Sequence, residues 1–135
     1  MRTTELQIDT GSRVAVVDIT TQVADFCSQG GDGLISVFVP HATAGVAIIE
    51  AGAGSDIDLI DSIDDLLPAE QGRWRHAHGS PGHGRDHVLP AFISPSITVP
   101  VLAGEMELGT WQSIVLVDTN VDNPRRRVVL SFLDG

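Results

Sequence analysis

"LISVFVPHATAGVAIIE", residues 34–50, holds two runs of β-branched and aromatic residues, 34–40 and 45–50, joined by a link from His41 to Gly45. Each run is short, rich in Val and Ile, and bounded by Pro or Gly, which marks strands rather than a helix. The first run shows no polar alternation and is expected to be buried on both faces. Upstream, "RVAVVDIT" (13–20) is another strand pattern. Thr20 or Thr21 can cap a short helix after it, with Val23, Phe26 and Cys27 on one face, ended by the glycines at 30, 31 and 33.

Downstream, Gly52 and Gly54 break the pattern and Ser55 or Asp56 can cap a second helix, "DIDLIDSIDDLLP" (56–68). Its apolar positions 57, 60, 63, 66 and 67 follow a helical spacing, and its aspartates crowd the first turns, where the helix dipole favours them. "SITVPVL" (96–102), "SIVLVD" (113–118) and "RVVLSFL" (127–133) add three strands. Strands and two main helices are mixed without regular βαβ alternation, so the expected fold is α+β with a mixed or antiparallel sheet, one domain over residues 1–135.

The chain carries 18 acids against 8 bases, a net charge of -10. Such a surface repels nucleic acid and anionic membrane, and neither is an expected partner. All the bases are arginine, so a lysine Schiff base is excluded. No apolar run is long enough to span a membrane, and Met1–Glu5 does not open a signal peptide. The single cysteine, Cys27, fits a cytoplasmic setting and reads as core.

Four of the five histidines, His76, His78, His83 and His87, fall in "RWRHAHGSPGHGRDH" (73–87). Neutral imidazole is the commonest metal ligand, and glycine lets a loop fold back so that ring nitrogens converge. The alternative is a solvated loop with incidental histidines. Trp74 can anchor the backbone before His76, and "VLPAF" can hold His87. His78 and His83 sit among small residues and are the weaker candidates. His41, at a strand end, is either a site residue or a satisfied structural histidine.

Three segments together resemble one family. They are "VFVPHATAGVAIIEAG" (37–52), "WRHAHGSPGHGRDHV" (74–88) and "SITVPVLAGEMELGTWQSI" (96–114), the last with its specific "LGTWQ". These are similar to signatures of the YjbQ-like family, also called the secondary thiamine-phosphate synthase family. The resemblance implies an α+β fold with a mixed sheet curved into a half-barrel or sandwich, and a homotrimer. It implies a divalent metal ion, zinc or magnesium, held by histidines. It also implies a transferase activity that joins a pyrimidine diphosphate to a thiazole phosphate with loss of pyrophosphate.

Carried over by position, His41, His76 and His87 become the metal ligands, while Glu50, Gln112 and Arg125 become the catalytic candidates. Asp86 departs from the family's Ala, and a carboxylate there can alter the metal's charge or a ligand's tautomer. The substrate is then a phosphorylated small molecule. In so acidic a chain its site must be locally positive, through the metal, Arg75 or Arg125. Metal-assisted hydrolysis and metal binding without turnover are the alternatives. Each residue also has a plainer reading: Trp111 as a core anchor, Gly109 as a turn, Arg125–Arg127 as a solvated edge with Arg126 on the opposite face. Asp61, Asp64 and Asp65 read as a solvated helix face.

Overall fold

The computed structural model describes residues 1–135. In chain order the elements are β1 (Arg2–Asp9), β2 (Ala15–Asp18), α1 (Thr20–Cys27), β3 (Gly33–Phe38), β4 (Ala44–Ile49), α2 (Ser55–Leu66), the single turns α3 (His83–Asp86) and α4 (Leu89–Phe92), β5 (Ser96–Leu102), β6 (Glu105–Met106), β7 (Ser113–Asp118) and β8 (Arg125–Asp134). A five-stranded sheet runs β1-β8-β3-β5-β6 and a three-stranded sheet runs β2-β7-β4. Every pairing is antiparallel, the second of the two arrangements left open by the sequence. The fold is α+β, with the sheet curled into a half-barrel.

The core lies between the two sheets. Ile35 and Val37 of β3, Val99 and Val101 of β5, and Val128, Leu130 and Phe132 of β8 face Val46 of β4 and Ile114 and Leu116 of β7. Val23 and Cys27 of α1 close one side. The Asp18 carboxylate accepts the Thr20 N–H (2.9 Å) at the start of α1, doing the capping work expected of Thr20 or Thr21. Thr20 Oγ1 instead accepts the Ile114 N–H at 2.8 Å and ties α1 to β7.

A second apolar cluster lies on the outer face of β7, where Val115 and Val117 meet Ile63 and Leu67 of α2, Leu89, and the partly buried Trp74. β7 is therefore buried on both faces. β3 is not: Leu34 and Phe38 are each 43% exposed, because nothing in the chain covers the outer face of the larger sheet. α2 also turns a narrower face inward than its pattern suggests, since Ile57 and Leu66 are exposed. Strand β1 went unread in the sequence, its apolar content resting on Leu6 and Ile8 alone; it is built by pairing with β8 along its length.

Alternation along β8 buries Arg126 and exposes Arg125 and Arg127. The Arg126 guanidinium donates from Nε to Asp118 Oδ2 (2.7 Å), and its terminal amino group reaches Asp118 Oδ1 (2.9 Å) and Thr43 Oγ1 (2.8 Å). Thr10 at the end of β1 donates its hydroxyl to the same carboxylate. The pair joins the two sheets inside the protein. Replacing Arg126 by Ala strands a buried carboxylate and should cost about 3–5 kcal/mol. Replacing both partners, as Arg126→Met with Asp118→Leu, should cost less than the single change. Urea unfolding of the two variants checks this ordering.

Candidate functional site

The histidine loop packs against the outer side of the smaller sheet. Trp74 donates its indole N–H to the Pro68 carbonyl (2.8 Å) and rests in the second apolar cluster, so the anchor before His76 is in place. Leu89, 1% exposed, holds the other end. Gly84 permits the closure between them. A Cβ there would lie 2.4 Å from the His76 carbonyl oxygen and 2.5 Å from Trp74 Cβ, so only glycine lets the His76 backbone lie against α3. Arg85 is buried beside it and clamps α3 to the end of α2. Its NH1 donates to Asp64 Oδ1 (2.5 Å) and to the Leu67 carbonyl (3.2 Å). Asp64 lies on the solvated face expected of it, 54% exposed, and also anchors Arg85.

The result is a cluster of imidazoles. Ligand atoms of His76, His83 and His87 all lie within 4.8 Å of one another. His83 Nε2 and His87 Nε2 are 3.0 Å apart, and the His76 and His87 rings stack at 4.0 Å. Two nitrogens bound to one tetrahedral zinc at ~2.05 Å stand about 3.3 Å apart, so this spacing suits a shared cation. The His78 ring lies 4.2 Å from that of His76 and 4.9 Å from that of His83. A small open cleft of ≈ 90 Å³ beside the cluster is lined by His76, His78, His83, Ser80, Trp74 and Glu70 among others.

Behind His83 lies a polar shell from the turn after β7. Its Nδ1 is 3.1 Å from Asp122 Oδ2 and 3.0 Å from Asn120 Nδ2. The Ser80 hydrogen bonds hold the Asp122 carboxyl below the usual carboxylate range. Asp86 is buried and is not one of the three converging groups. It accepts the Thr119 hydroxyl (2.5 Å) and the Asn120 amide (3.3 Å), and burial pushes its carboxyl up.

The structure gathers the expected ligand set in part. His76 and His87 belong to the cluster, but His41 does not. Its Nε2 accepts the Arg127 N–H at 3.0 Å, on the side of β8 where β3 has ended, since the β3 register with β8 stops at Phe38 opposite Val129. His83 stands beside them instead. Small residues surround it, yet His83 and His87 are four apart, one helical turn, and α3 turns both rings to the same side. That spacing was the available signal.

The catalytic candidates are scattered. Glu50 is exposed just past β4 and does not line the cleft. Gln112 accepts the Gly109 N–H (2.7 Å), closing its own turn, and lines a different hollow with Thr20, Ser28 and Met106. Arg125 lines a third with Gln7, Ile8 and Asp9. Arg75 is exposed and is not among the residues lining the cleft. Trp111 is 72% exposed, so it is no core anchor within the chain.

A family model described as "UPF0047 protein YjbQ-like" matches residues 4–135. UPF0047 protein Rv2556c of Mycobacterium tuberculosis is 63% identical over 135 residues, covering 100% of both chains. A UPF0047 protein of Archaeoglobus fulgidus is 35% identical over 131 residues, covering 96% of this chain and 99% of its own. Among solved structures, a hypothetical protein from Aeropyrum pernix K1 superposes with a TM-score of 0.90 at 33% identity, covering 100% of both chains. These names state no activity, and a further neighbour from Sulfolobus solfataricus is described as a protein of unknown function. The expectation of thiamine phosphate synthesis is therefore corrected: no named relative is a thiamine-phosphate synthase or a transferase.

Three imidazoles, those of His41, His76 and His87, are shifted toward the neutral form. Burial and the neighbouring Arg126 and Arg127 lower His41. Burial, together with the other rings of the cluster, lowers His76 and His87. A histidine whose folded pKa lies below the unfolded value of ~6.5 binds its proton more readily when unfolded, so its contribution is present above that pH and is lost as pH falls through the folded value. The melting temperature of metal-free protein should fall as pH drops below about 6.5. His41→Gln keeps an acceptor for the Arg127 N–H but cannot titrate, and should flatten part of that fall.

Proposed function

We propose that the chain, which belongs to the YjbQ-like UPF0047 family, binds a divalent metal ion through His76, His83 and His87 and presents it to a small ligand in the adjoining cleft. The observation that carries this reading is the convergence of three imidazoles, two of them nitrogen to nitrogen at 3.0 Å. An all-imidazole donor set favours zinc over magnesium, which prefers carboxylate and water oxygens. Three protein ligands leave a position free, as in catalytic rather than structural zinc sites. When bound, such an ion supplies Lewis acidity at that position. The cleft has no lining arginine, and Arg85 is occupied by Asp64, so a phosphorylated or other anionic ligand would find its positive charge in the ion. Buried, unpaired Cys27 supports a cytoplasmic setting. No helix is long and apolar enough to cross a membrane.

The homotrimer implied by the resemblance belongs to this reading. Leu34, Phe38 and Leu133 on the uncovered face of the larger sheet, with exposed Leu102 at the end of β5, offer an apolar surface for a second copy.

Zinc titrated calorimetrically into metal-free protein should bind far more tightly than magnesium. His83→Ala should lose more than the roughly 10- to 100-fold that removal of an outer partner costs, while His41→Ala keeps wild-type affinity. Wild-type affinity in His83→Ala overturns the site. Pyrophosphate should bind zinc-loaded protein and not the stripped protein, with Arg125→Ala behaving as wild type. Light scattering should return a trimer mass for the native chain and a monomer mass for Leu34→Asp with Phe38→Asp.

A further inference from the structure

The geometry points to Asp122 as the positioning residue that selects the metal-competent tautomer of His83, a role that rests on the metal reading above. The ligand atom of His83 is Nε2, which faces His87 Nε2. That nitrogen has a lone pair to offer only when the ring proton resides on Nδ1. Two groups compete for Nδ1. Asn120 Nδ2, 3.0 Å away, carries only protons and favours the opposite tautomer, with Nε2 protonated and blocked. Asp122 Oδ2, 3.1 Å away, only accepts, and so calls the proton to Nδ1.

Asn120 cannot turn its amide over to help. Its Oδ1 already accepts the N–H groups of Asp122 (2.9 Å) and Asn123 (3.0 Å), and its Nδ2 is also drawn to Asp86 Oδ2 at 3.3 Å. The same two bonds to Oδ1 build the turn that presents Asp122. Charge decides the competition, since a hydrogen bond to an ionised acceptor is roughly twice as strong as a neutral one. Asp122 is also held in register with the ring. It accepts the Ser80 N–H at 3.1 Å and the Ser80 hydroxyl, while the Ser80 carbonyl accepts the His83 N–H at 3.0 Å. A carboxylate behind a ligand histidine both orients the ring and fixes its proton.

The experiment compares wild type, Asp122→Asn and Ser80→Ala as full-length, metal-stripped proteins at mildly alkaline pH. Side-chain nitrogen-15 NMR reads the His83 tautomer, and a zinc titration reads affinity. The expected result is Nδ1–H in wild type and in Ser80→Ala. Asp122→Asn should shift toward Nε2–H and lose about 10- to 100-fold in zinc affinity. Ser80→Ala removes the hydroxyl bond to Asp122 and keeps both backbone bonds of residue 80, so it loosens the carboxylate without removing the acceptor at His83 Nδ1. The same His83 tautomer in wild type and Asp122→Asn overturns the inference, as does an equal affinity loss in Ser80→Ala. If wild-type protein takes up no zinc while the tautomer still changes in Asp122→Asn, the metal reading fails and the role of Asp122 stands.

Discussion

Arg126 and Asp118 form an ion pair that water does not reach, 2% and 0% exposed at their side chains. Removing both charges from water costs most of what their attraction returns, so the pair adds little net stability. Its weight lies in what it forbids. Any arrangement that slides β8 against β7 leaves a bare charge in the core. The carboxylate also takes the Thr10 hydroxyl from the end of β1, and the guanidinium takes Thr43 ahead of β4. Four segments from both sheets are therefore located by one set of hydrogen bonds.

The histidine cluster inherits its position from that pair. Asp118 Oδ1 also accepts the Asn120 N–H (3.0 Å), which starts the turn after β7. Thr119, Asn120 and Asp122 then reach Asp86, His83 and Ser80 in turn. The core's ionic lock and the proposed metal centre are thus connected through a few residues of backbone. The glycine-rich loop supplies the imidazoles, but the turn after β7 gives them their order. Flexibility in the loop and rigidity behind it solve separate problems: glycine allows His76 to approach α3, and the polar shell holds His83 through Nδ1.

The absence of convergent arginines changes how the acidic chain can meet a ligand. Arg126 is committed to Asp118, Arg85 to Asp64 and the end of α2, and Arg127 to Glu5. Arg2 lies over the rings of Phe26 and Phe132. Much of the chain's small stock of positive charge is therefore structural. In the proposed reading, the metal carries the electrostatic work that free arginines do in other anion sites.

The sequence by itself determined what depends on local pattern. The strand runs at 34–40, 45–50, 96–102, 113–118 and 127–133, the two main helices, the alternation that buries Arg126, and the anchors Trp74 and Leu89 were all legible, because side-chain period and β-branching act over a few residues. What depended on distant partners was not. β1 exists because β8 pairs with it, β3 shows one face because no element lies over it, and Gln112, Glu50 and Arg125 point to three different places because the sheets diverge. The placement of His41 away from the cluster and of His83 within it has the same origin. A strand that ends early left a backbone N–H for His41 to satisfy, and a helical turn closed against Trp74 brought His83 beside His87. Tertiary structure alone decided both, since a hydrogen-bond acceptor or a metal ligand is defined by what stands opposite it.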